Sequence, residues 1–459
     1  MRWRVLLELA EAGGAVCVHE VGAGCNDTRA YSAETVGLSL DDAKRTLAAL
    51  QRHLVQSQVA AHCRQRRGCL HCGAQRPLKD RRSRRLTSLF GEVEVHAPRF
   101  GPCRCGAASP RSITPVAEIM PDRCTPEYER MLAKMGALLP YRRAADLLEE
   151  VFPLGDAPVI ETIRQRTLHV GRRLERDAAA ATAQSSGAKA AGSVVLSIDG
   201  GHVKSVRSYQ ARSFEVFVAQ ASNDSGDQIV FSSMPAEADR QRQQLANILQ
   251  GLGATSDTPI TILSDGAQGP RYLGETASSG PTKHVLDWFH LSMRIQHVAQ
   301  TVKSWPDATA NDTATGARFA DAVEHIRWRL WHGQVARALD LIGKTLVLLD
   351  AEVETVGSAA AAKVRRVLRD LETYVTGQSD LIIDYGTARR RGEPISTAAT
   401  ESTVQWLLHR RMGAQQQMRW SPRGAHLMLK VRTSVTNQAF TGDYAAAERW
   451  AVRPFRRAA

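Results

Sequence analysis

Two apolar stretches decide the fold, VVLSIDGGHVKS at 194–205 and PITILSDGAQG at 259–269. Each reads as a β-strand that runs to an aspartate followed by glycine, Asp199 in the first and Asp265 in the second. A third carboxylate, Glu401, begins a helix-like stretch much further along the chain, ESTVQWLLHRRM. Three separated carboxylates on such elements are the ligands that a site for two hard cations requires.

The elements around these aspartates predict an α/β domain that begins near residue 193. The predicted order is strand, strand, strand, helix, strand, helix and strand, with the strands at 194–205, 212–222, 227–235, 259–264 and 283–289. This is the element order of a ribonuclease H-like domain, in which the first and fourth strands are parallel neighbours. Asp199 and Asp265, both expected at strand carboxyl ends, would then lie side by side.

Each carboxylate also has an ordinary structural interpretation. Asp–Gly is a common turn dipeptide, and an acid in the first turn of a helix, such as Glu401, interacts favourably with the helix dipole. Glu393 and Asp384 are nearby alternatives to Glu401. Two acids on adjacent strands repel each other unless cations neutralise them, which favours the metal-binding interpretation for Asp199 and Asp265.

Four of the eight cysteines are grouped as Cys69-x2-Cys72 and Cys103-x-Cys105. Four thiolates in two close pairs suit tetrahedral zinc, and the strand-like stretches between them, with a turn at Gly91, predict a zinc-stapled hairpin. The second pair is closer than usual, so unrelated free thiols are an alternative. The residues that could replace one ligand are Cys63, His62, His71 and His96.

Basic residues indicate a polyanionic partner. The net charge is +13, and residues 63–111 hold twelve Lys or Arg against three acids. The segment 141–176 resembles a helix-turn-helix whose second helix would present basic side chains to a DNA groove, although generic helix packing fits as well. Core packing is the default interpretation of Trp328 and Trp331, and stacking on an unpaired base is the alternative. We expect DNA contacts from Arg81, Arg82, Arg84, Arg85, Arg164, Arg166, Arg410 and Arg411.

The whole chain of 459 residues is too long for one core. Ser39 is the expected N-cap of an amphipathic helix with Leu40, Leu47 and Leu54 on its apolar face. No apolar stretch approaches the ~20 residues that span a bilayer, so we expect a cytoplasmic protein without membrane contact. The predicted regions are an N-terminal helical region (1–62), a zinc ribbon (63–120), a helix-turn-helix-like region (121–180), a linker (181–192), the first part of the core (193–289), a helical insertion and loop (290–398), and a core completion with a basic tail (399–459).

With these residues assembled, the chain resembles bacterial insertion-sequence transposases of the DDE superfamily, close to the ISKra-type group. The resemblance rests on the order and spacing of motifs across most of the chain: GLSLDDAKRTLAALQ, the cysteine pairs, SIDGGHVK, LSDGA, LDWFHLSMRIQ, TESTVQWLLHRRM and WSPRGAHLMLKVR. It implies a ribonuclease H-like catalytic core split by a helical insertion, with Asp199, Asp265 and Glu401 as catalytic residues. It further implies that Asp287 and His290 form the accessory Asp/Cys-x2-His signature of related transposases.

Such an enzyme would bind the terminal inverted repeats of a mobile element and a target DNA. Two Mg²⁺ or Mn²⁺ ions would support cleavage of a strand and attack of the freed 3′-hydroxyl on the target. The resemblance also implies a homo-oligomer and association with the nucleoid. Two alternatives are a metal-dependent nuclease that does not join DNA ends, and a transposase-derived DNA-binding protein without enzymatic activity.

Overall fold

The computed structural model describes residues 1–10, 16–25, 36–105, 112–181, 189–234, 238–305, 310–356, 358–397, 402–413 and 418–451. The chain divides into two compact units, Met1–Leu174 with Phe440–Ala459, and Glu175–Ala439. The strands are β1 (Arg2–Ala10), β2 (Val16–Cys25), β3 (Leu78–Ser88), β4 (Gly91–Phe100), β5 (Val194–Lys204), β6 (Ser213–Asn223), β7 (Gln228–Ser233), β8 (Ile260–Ser264) and β9 (Thr282–Leu286).

The helices up to the second unit are α1 (Leu40–Arg67), α2 (Pro115–Ile119), α3 (Pro126–Leu138), α4 (Tyr141–Val151) and α5 (Ile160–Ala181). The later helices are α6 (Ala238–Gly251), α7 (Gln268–Ala277), α8 (Trp288–Lys303), α9 (Ala310–Trp331), α10 (Val335–Val356), α11 (Ala359–Gly377), α12 (Tyr385–Arg390), α13 (Arg410–Met412), α14 (Pro422–Thr436) and α15 (Phe440–Ala451). A 3₁₀ turn covers Ser379–Leu381, and a π-helical turn at Gln405–His409 leads into α13.

The N-terminal region differs from the helical region that the sequence predicts. β1 and β2 form an antiparallel hairpin, with an irregularity between Val5 and Leu6. That irregularity interrupts the alternation of apolar and polar residues by which a strand is recognised. The residues between the two strands, 11–15, lie outside the described residues.

Helix α1 begins as predicted, because the Ser39 side chain accepts a hydrogen bond from the Asp42 backbone N–H at 3.1 Å. It ends at Arg67 instead of residue 62, and its predicted apolar face is wrong at Leu40 and Leu47, which are exposed. The first core contains Val55, Val59 and Cys63 of α1 packed against the β3–β4 hairpin. The apolar side chains of β3 and β4 in this core are Leu86, Val93, Val95 and Ala97.

The β3–β4 hairpin turns where the sequence predicts it, at Gly91. Gly91 has a φ of 99°, and a Cβ there would lie 3.0 Å from the carbonyl oxygen of Pro153. Both the left-handed backbone and the close approach favour glycine. The turn thereby fixes the register that carries the strands back to the two cysteine pairs.

The second unit is built on a five-stranded sheet in the order β7-β6-β5-β8-β9. β5, β6 and β7 pair antiparallel, whereas β5–β8 and β8–β9 pair parallel. The predicted parallel pairing of the first and fourth strands is therefore confirmed. Each parallel connection passes through helices, as a crossover between parallel strands requires.

Helices cover both faces of this sheet. On one face, the side chains of Val194, Leu196 and Ile198 form a core with apolar residues of α6 and α7. On the other face, Leu263, Val285 and Leu286 belong to a core with α8, α9, α10 and α11. Within the described part of 290–378 the elements are helical, which confirms the predicted absence of strands there.

The observed units differ from the predicted regions at two places: the second unit begins at Glu175, inside the region predicted at 121–180, and α15 lies in the first unit. α15 was expected to complete the core after residue 399, but it groups with the N-terminal residues. Tyr444 of α15 donates a hydrogen bond to the buried Glu129 of α3 at 2.9 Å, and its ring lies 4.7 Å from the Arg173 guanidinium carbon. A buried acid with three partners explains why α15 belongs to this unit.

Candidate functional site

Asp199 and Asp265 lie level with each other on neighbouring parallel strands. The last residue pair in register between β5 and β8 is Ser197 with Leu263, and each aspartate comes two residues later. Parallel strands are about 4.8 Å apart, so the two aspartates leave the sheet side by side. Asp265 follows the end of β8, but Asp199 does not end its strand, because β5 continues to Lys204 beside β6. The pairing of β5 with β8 ends two residues before Asp199.

Both aspartates lie on the sheet face that carries the α8–α11 core. Val195 packs against that core, and Asp199 shares its face because alternate strand residues point to the same side. Next along this face, a Cβ at Gly201 would lie 2.3 Å from Leu408 and 3.8 Å from Val404. The segment 402–412 therefore packs directly beside Asp199 because residue 201 lacks a side chain.

Backbone N–H groups fix the rotation of both carboxylates. Oδ1 of Asp199 accepts from the Gly200 N–H at 2.8 Å, and Oδ1 of Asp265 accepts from the Ala267 N–H at 2.9 Å. Both side chains belong to partly buried residues. Gly266 adopts a φ of 87°, and a Cβ there would lie 2.6 Å from the Gln378 side chain. The glycine after Asp265 is thus required by its backbone conformation and by this contact.

The buried Asp287 and the partly buried His290 form a pair beside these aspartates. The carboxylate of Asp287 is completely buried and accepts from His290 Nδ1 at 2.7 Å. This hydrogen bond raises the pKa of His290 despite its burial, and the charges of Asp287, Asp199 and Asp265 raise it further. Burial alone would raise the pKa of Asp287, but hydrogen bonds from His290, Thr397 and Phe289 lower it. The three carboxylates therefore favour the protonated form of the imidazole relative to its ordinary balance.

Asp287 also holds the chain that leads toward Glu401. Thr397 donates to it twice, from its backbone N–H at 3.0 Å and from its hydroxyl. Trp288, next to Asp287, donates its N–H to the Ile395 carbonyl at 3.0 Å. Glu401 itself lies outside the described residues, and the description resumes at Ser402. One buried carboxylate thus positions both His290 and the loop around Thr397 that follows α12.

The two alternatives to Glu401 are used elsewhere. Glu393 forms a 3.4 Å ion pair with Lys283. Asp384 caps α12 by accepting from the Thr387 N–H at 2.9 Å, and the backbone and side chain of Thr387 lower its pKa. Neither acid is placed beside Asp199 by these contacts.

The insertion contributes residues that sequence reasoning missed. The Tyr374 hydroxyl of α11 donates to the Asp265 carbonyl at 2.8 Å, and Gln378 Nε2 donates to the Gly266 carbonyl at 3.1 Å. The Arg294 guanidinium carbon lies 4.0 Å from the centroid of the Tyr374 ring. Arg294 follows His290 by four residues, a spacing that places both on one helix face, and this was the one local sequence signal that Arg294 lies near the site. Tyr374 lies 109 residues from Asp265, and no local sequence signal relates the two residues.

The four predicted cysteines form a second site. Their sulfur atoms all lie within 4.8 Å of one another, with Cys72–Cys103 at 3.4 Å and Cys69–Cys105 at 3.9 Å. A tetrahedron with Zn–S bonds of 2.3 Å has sulfur–sulfur edges of about 3.8 Å. Among the described residues this is the one group of three or more Cys, His, Asp or Glu side chains that meets so closely. The cluster fits a structural zinc.

The backbone around Cys69 favours its thiolate. The N–H groups of Cys72 and His71 lower the pKa of Cys69 to about 6. The Ala74 N–H acts in the same sense on Cys72, but hydrogen bonds with Cys103 and the other thiols raise its pKa to about 12. These backbone hydrogen bonds favour the thiolate of Cys69, and the thiolate is the form that binds zinc.

The four suggested substitutes for a ligand lie outside this cluster. Cys63 packs in the first core, and His62 lies 3.6 Å from Glu118. His96 is exposed on β4, and His71 contributes its backbone N–H instead of its ring.

The four arginines predicted to contact DNA from β3 differ in exposure. Arg81, Arg82 and Arg85 are exposed, with Arg82 near Asp80 and Arg85 near Glu92 at 3.6 and 3.5 Å. Arg84 is partly buried and donates to the carbonyls of Pro121 and Asp122. Three of the four predicted arginines are therefore accessible on one strand.

In the helical region, Arg166, which is predicted to contact DNA, forms ion pairs with acids of the same unit instead. Arg166 contacts both Asp122 and Glu129, and its side chain is 24% exposed. The hydrogen bond to Arg166 lowers the pKa of Asp122. Arg164 and His169 are exposed on the same helix, and Arg164 pairs with Glu161 at 2.6 Å.

Arg410 and Arg411, both predicted to contact DNA, differ in burial. Arg410 is exposed, with its guanidinium carbon 5.4 Å from the Trp406 ring. Arg411 is completely buried, lies 5.2 Å from the Trp420 ring and donates to Met418 Sδ at 2.9 Å. The expected DNA contact of Arg411 is therefore corrected, since a buried guanidinium is not presented to a phosphate.

The two tryptophans of α9, Trp328 and Trp331, also differ in burial. Trp331 packs against Trp288 at 4.7 Å between ring centroids and against Tyr385 at 6.1 Å, which supports the core interpretation. Trp328 is 54% exposed and its ring lies 4.6 Å from that of His332.

No protein-family model matches the chain, and no curated protein matches it either. In the parts of the chain that the structure describes, no helix combines the length and the apolar character needed to cross a bilayer. The functional argument therefore depends on the geometry of the two sites.

Proposed function

We propose that the protein is a DNA transposase of the DDE type, which cleaves and joins DNA strands by metal-dependent phosphoryl transfer. The observation that carries the proposal is the level placement of Asp199 and Asp265 on the parallel strands β5 and β8. His290, whose pKa both aspartates raise, lies beside them. The carboxylates therefore converge on one place at the edge where α/β sheets commonly bind their substrates.

The sheet supports the choice of a ribonuclease H-like core. Its order β7-β6-β5-β8-β9, with three antiparallel strands followed by two parallel ones, is the arrangement expected of that fold. Fold alone does not determine function. The specific support comes from Asp199 and Asp265, which lie just beyond the last residue pair of β5 and β8.

The donor atoms suit Mg²⁺ in kind, since it prefers carboxylate oxygens and retains several waters. Asp199 and Asp265 are partly exposed, which leaves access for the waters of a hydrated ion. In the proposal Glu401 supplies the third carboxylate from the segment that follows Thr397. When bound, two such ions stabilise the attacking and leaving oxygens of the transferred phosphoryl group.

The chain's own residues have distinct roles in this proposal. Asp199 and Asp265 bind the cations with carboxylates whose rotation is fixed by Gly200 and Ala267. Asp287 holds His290 through the 2.7 Å hydrogen bond, so that the imidazole presents its other nitrogen to the site.

DNA is the proposed partner of both units. The β3 strand presents Arg81, Arg82 and Arg85 to solvent, and backbone contacts from such residues position DNA without reading its sequence. A zinc ion bound by the four cysteines would hold this basic hairpin in shape. Two element ends must be joined together, so a homo-oligomer is part of the proposal.

The test is a strand-cleavage and strand-transfer assay on labelled element-end DNA with Mg²⁺ or Mn²⁺. Asp199→Ala, Asp265→Ala and Glu401→Ala are each expected to lower the rate at least ~100-fold, because each ligand helps to supply several kcal/mol of charge stabilisation. Asp257→Ala is the matched control, since Asp257 is an exposed acid in the turn before β8. It should react at the rate of the wild type.

The other outcomes separate the alternatives. Cleavage without joining identifies a nuclease. DNA binding without any metal-dependent reaction identifies a DNA-binding protein and refutes the enzymatic proposal. Undiminished activity of Glu401→Ala alone moves the third ligand to another acid.

A further inference from the structure

The exposed side of α8 begins at the candidate site and continues away from it. His290, Met293, Arg294 and His297 follow the spacing of one helix face. Met293 is 55% exposed, and Arg294 and His297 are also exposed. The opposite face, with Leu291, Ile295, Val298 and Val302, is buried in the α8–α11 core. We call the partly buried His290 and the three exposed residues Met293, Arg294 and His297 the α8 stripe; it is about 10 Å long at 1.5 Å per residue.

Arg294 is held in a defined place beside Asp265. Its guanidinium carbon lies 4.0 Å from the Tyr374 ring centroid, and the Tyr374 hydroxyl donates to the Asp265 carbonyl at 2.8 Å. Stacking on the ring and contact with the ring's hydroxyl leave Arg294 adjacent to the carboxylates without pairing to them. Among the described residues, no carboxylate oxygen lies within 4.0 Å of Arg294.

Other cations of the insertion are paired with acids. Arg327 lies 3.7 Å from Glu324, and Lys344 lies 2.7 Å from Asp340. Arg365 pairs with Asp350 at 2.9 Å. Arg294 differs from these residues, because an aromatic ring orients its charge and the residue is exposed. A planar guanidinium presented in this way suits bidentate binding of a phosphate.

We propose that the α8 stripe binds the sugar–phosphate backbone of the DNA strand that enters the candidate site. Arg294 binds a phosphate neighbouring the reacting one, and Met293 contacts sugar or base. A stripe of about 10 Å spans roughly three phosphates at the 3.4 Å rise of a duplex strand. This inference rests on the proposed function, since it takes Asp199 and Asp265 as the point toward which the strand runs.

The first measurement is the salt dependence of DNA binding by the full-length protein. The probe is a short duplex with a single-stranded 3′ overhang, in buffer without Mg²⁺. Each phosphate contact contributes about 0.7–0.9 to the slope of log K against log salt concentration. Arg294→Gln is expected to reduce the slope by that amount, whereas Arg294→Lys retains the charge and restores it. Arg327→Gln removes an arginine of α9 that is paired with an acid, and it should leave the slope unchanged.

The second measurement locates the strand. Photo-cross-linking from p-benzoylphenylalanine in place of Met293 should label nucleotides of the overhang. The same substitution at Val347, which is 68% exposed on α10, is the control and should not label them. The proposal requires both results, so an unchanged slope or an absent cross-link at position 293 overturns it.

The two proposals fail in different ways. If both measurements succeed but no metal-dependent cleavage occurs, the stripe is a DNA-binding surface and the transposase proposal is refuted. If cleavage and joining occur but either measurement fails, the proposed function stands and the assignment of the α8 stripe is refuted.

Discussion

At the scale of single residues, Asp287 connects more of the site than any other described side chain. It is completely buried and accepts hydrogen bonds from Phe289, His290 and Thr397. Burying a carboxylate is costly unless donors compensate for the lost water. Here the donors come from the start of α8 and from a residue 110 positions away. Asp287 therefore positions other residues, whereas the aspartates beside it are the proposed metal ligands.

We expect Asp287→Asn to lower the free energy of unfolding by about 2–4 kcal/mol, because an amide nitrogen would face groups that need an acceptor. Thr397→Val should cost about 1–2 kcal/mol. In the double variant the two effects should not add, since the residues share hydrogen bonds. Urea denaturation of the single and double variants measures all three values.

The control for the single and double variants of Asp287 and Thr397 is Asp384→Asn. Asp384 caps α12 at an exposed position, and asparagine caps helices about as well as aspartate. Its free energy of unfolding should remain close to that of the wild type. Strict additivity of Asp287→Asn and Thr397→Val would contradict the anchoring role.

At the scale of elements, α5 shows how tertiary contacts change the interpretation of a basic helix. Its arginines at 164 and 166 are predicted to contact DNA, yet Arg166 binds Asp122 and Glu129 while Arg164 faces solvent. Glu129 is buried and also contacts Arg173 at 2.6 Å. Arg166 is therefore part of the packing between α5 and α3.

Arg166→Gln should lower the free energy of unfolding at neutral pH by about 1–2 kcal/mol, a value discounted because Asp122 is half-exposed. The pKa of Asp122 is lowered in the folded protein. Its contribution is present above its unfolded pKa of about 3.9 and is lost as the pH falls through the lowered folded value. The difference between variant and wild type should therefore shrink below about pH 4.

Arg164→Gln on the same helix is the matched control. Its partner Glu161 is an exposed neighbour on α5, so stability should be essentially unchanged. Denaturation between acidic and neutral pH makes the comparison. If Arg166→Gln instead weakens DNA binding at unchanged stability, Arg166 has the recognition role that the sequence suggested.

At the scale of the whole molecule, the two units obtain their stability in different ways. The second unit has a sheet with apolar cores on both faces. The cysteine-bearing hairpin has one small core against α1 and a partly exposed thiol cluster. A segment with so few buried apolar side chains commonly requires a metal for its fold.

We expect one zinc per chain by elemental analysis. Cys72→Ser and Cys103→Ser should abolish or strongly reduce it, whereas Cys17→Ser changes an exposed thiol outside the cluster and should not. Because zinc displaces thiol protons, its affinity should fall as the pH is lowered. Chelation should increase hydrogen exchange in β3 and β4. Full occupancy in Cys103→Ser would contradict the site.

The sequence alone determined the features that depend on neighbouring residues. The cap at Ser39, the turn at Gly91, the spacing of the cysteine pairs and the strands around Asp199 and Asp265 follow from local backbone preference and periodicity. The hairpin of β1 and β2 was missed because an irregularity interrupts its alternation.

Only the tertiary structure decided which side chains meet. The hold of Asp287 on Thr397, the contact of Tyr374 with Asp265 and the burial of Arg411 join residues that no local pattern relates. A repeating pattern specifies which face of a helix or strand is apolar, but not which distant element covers it. That choice depends on packing and on satisfying buried polar groups across the whole chain.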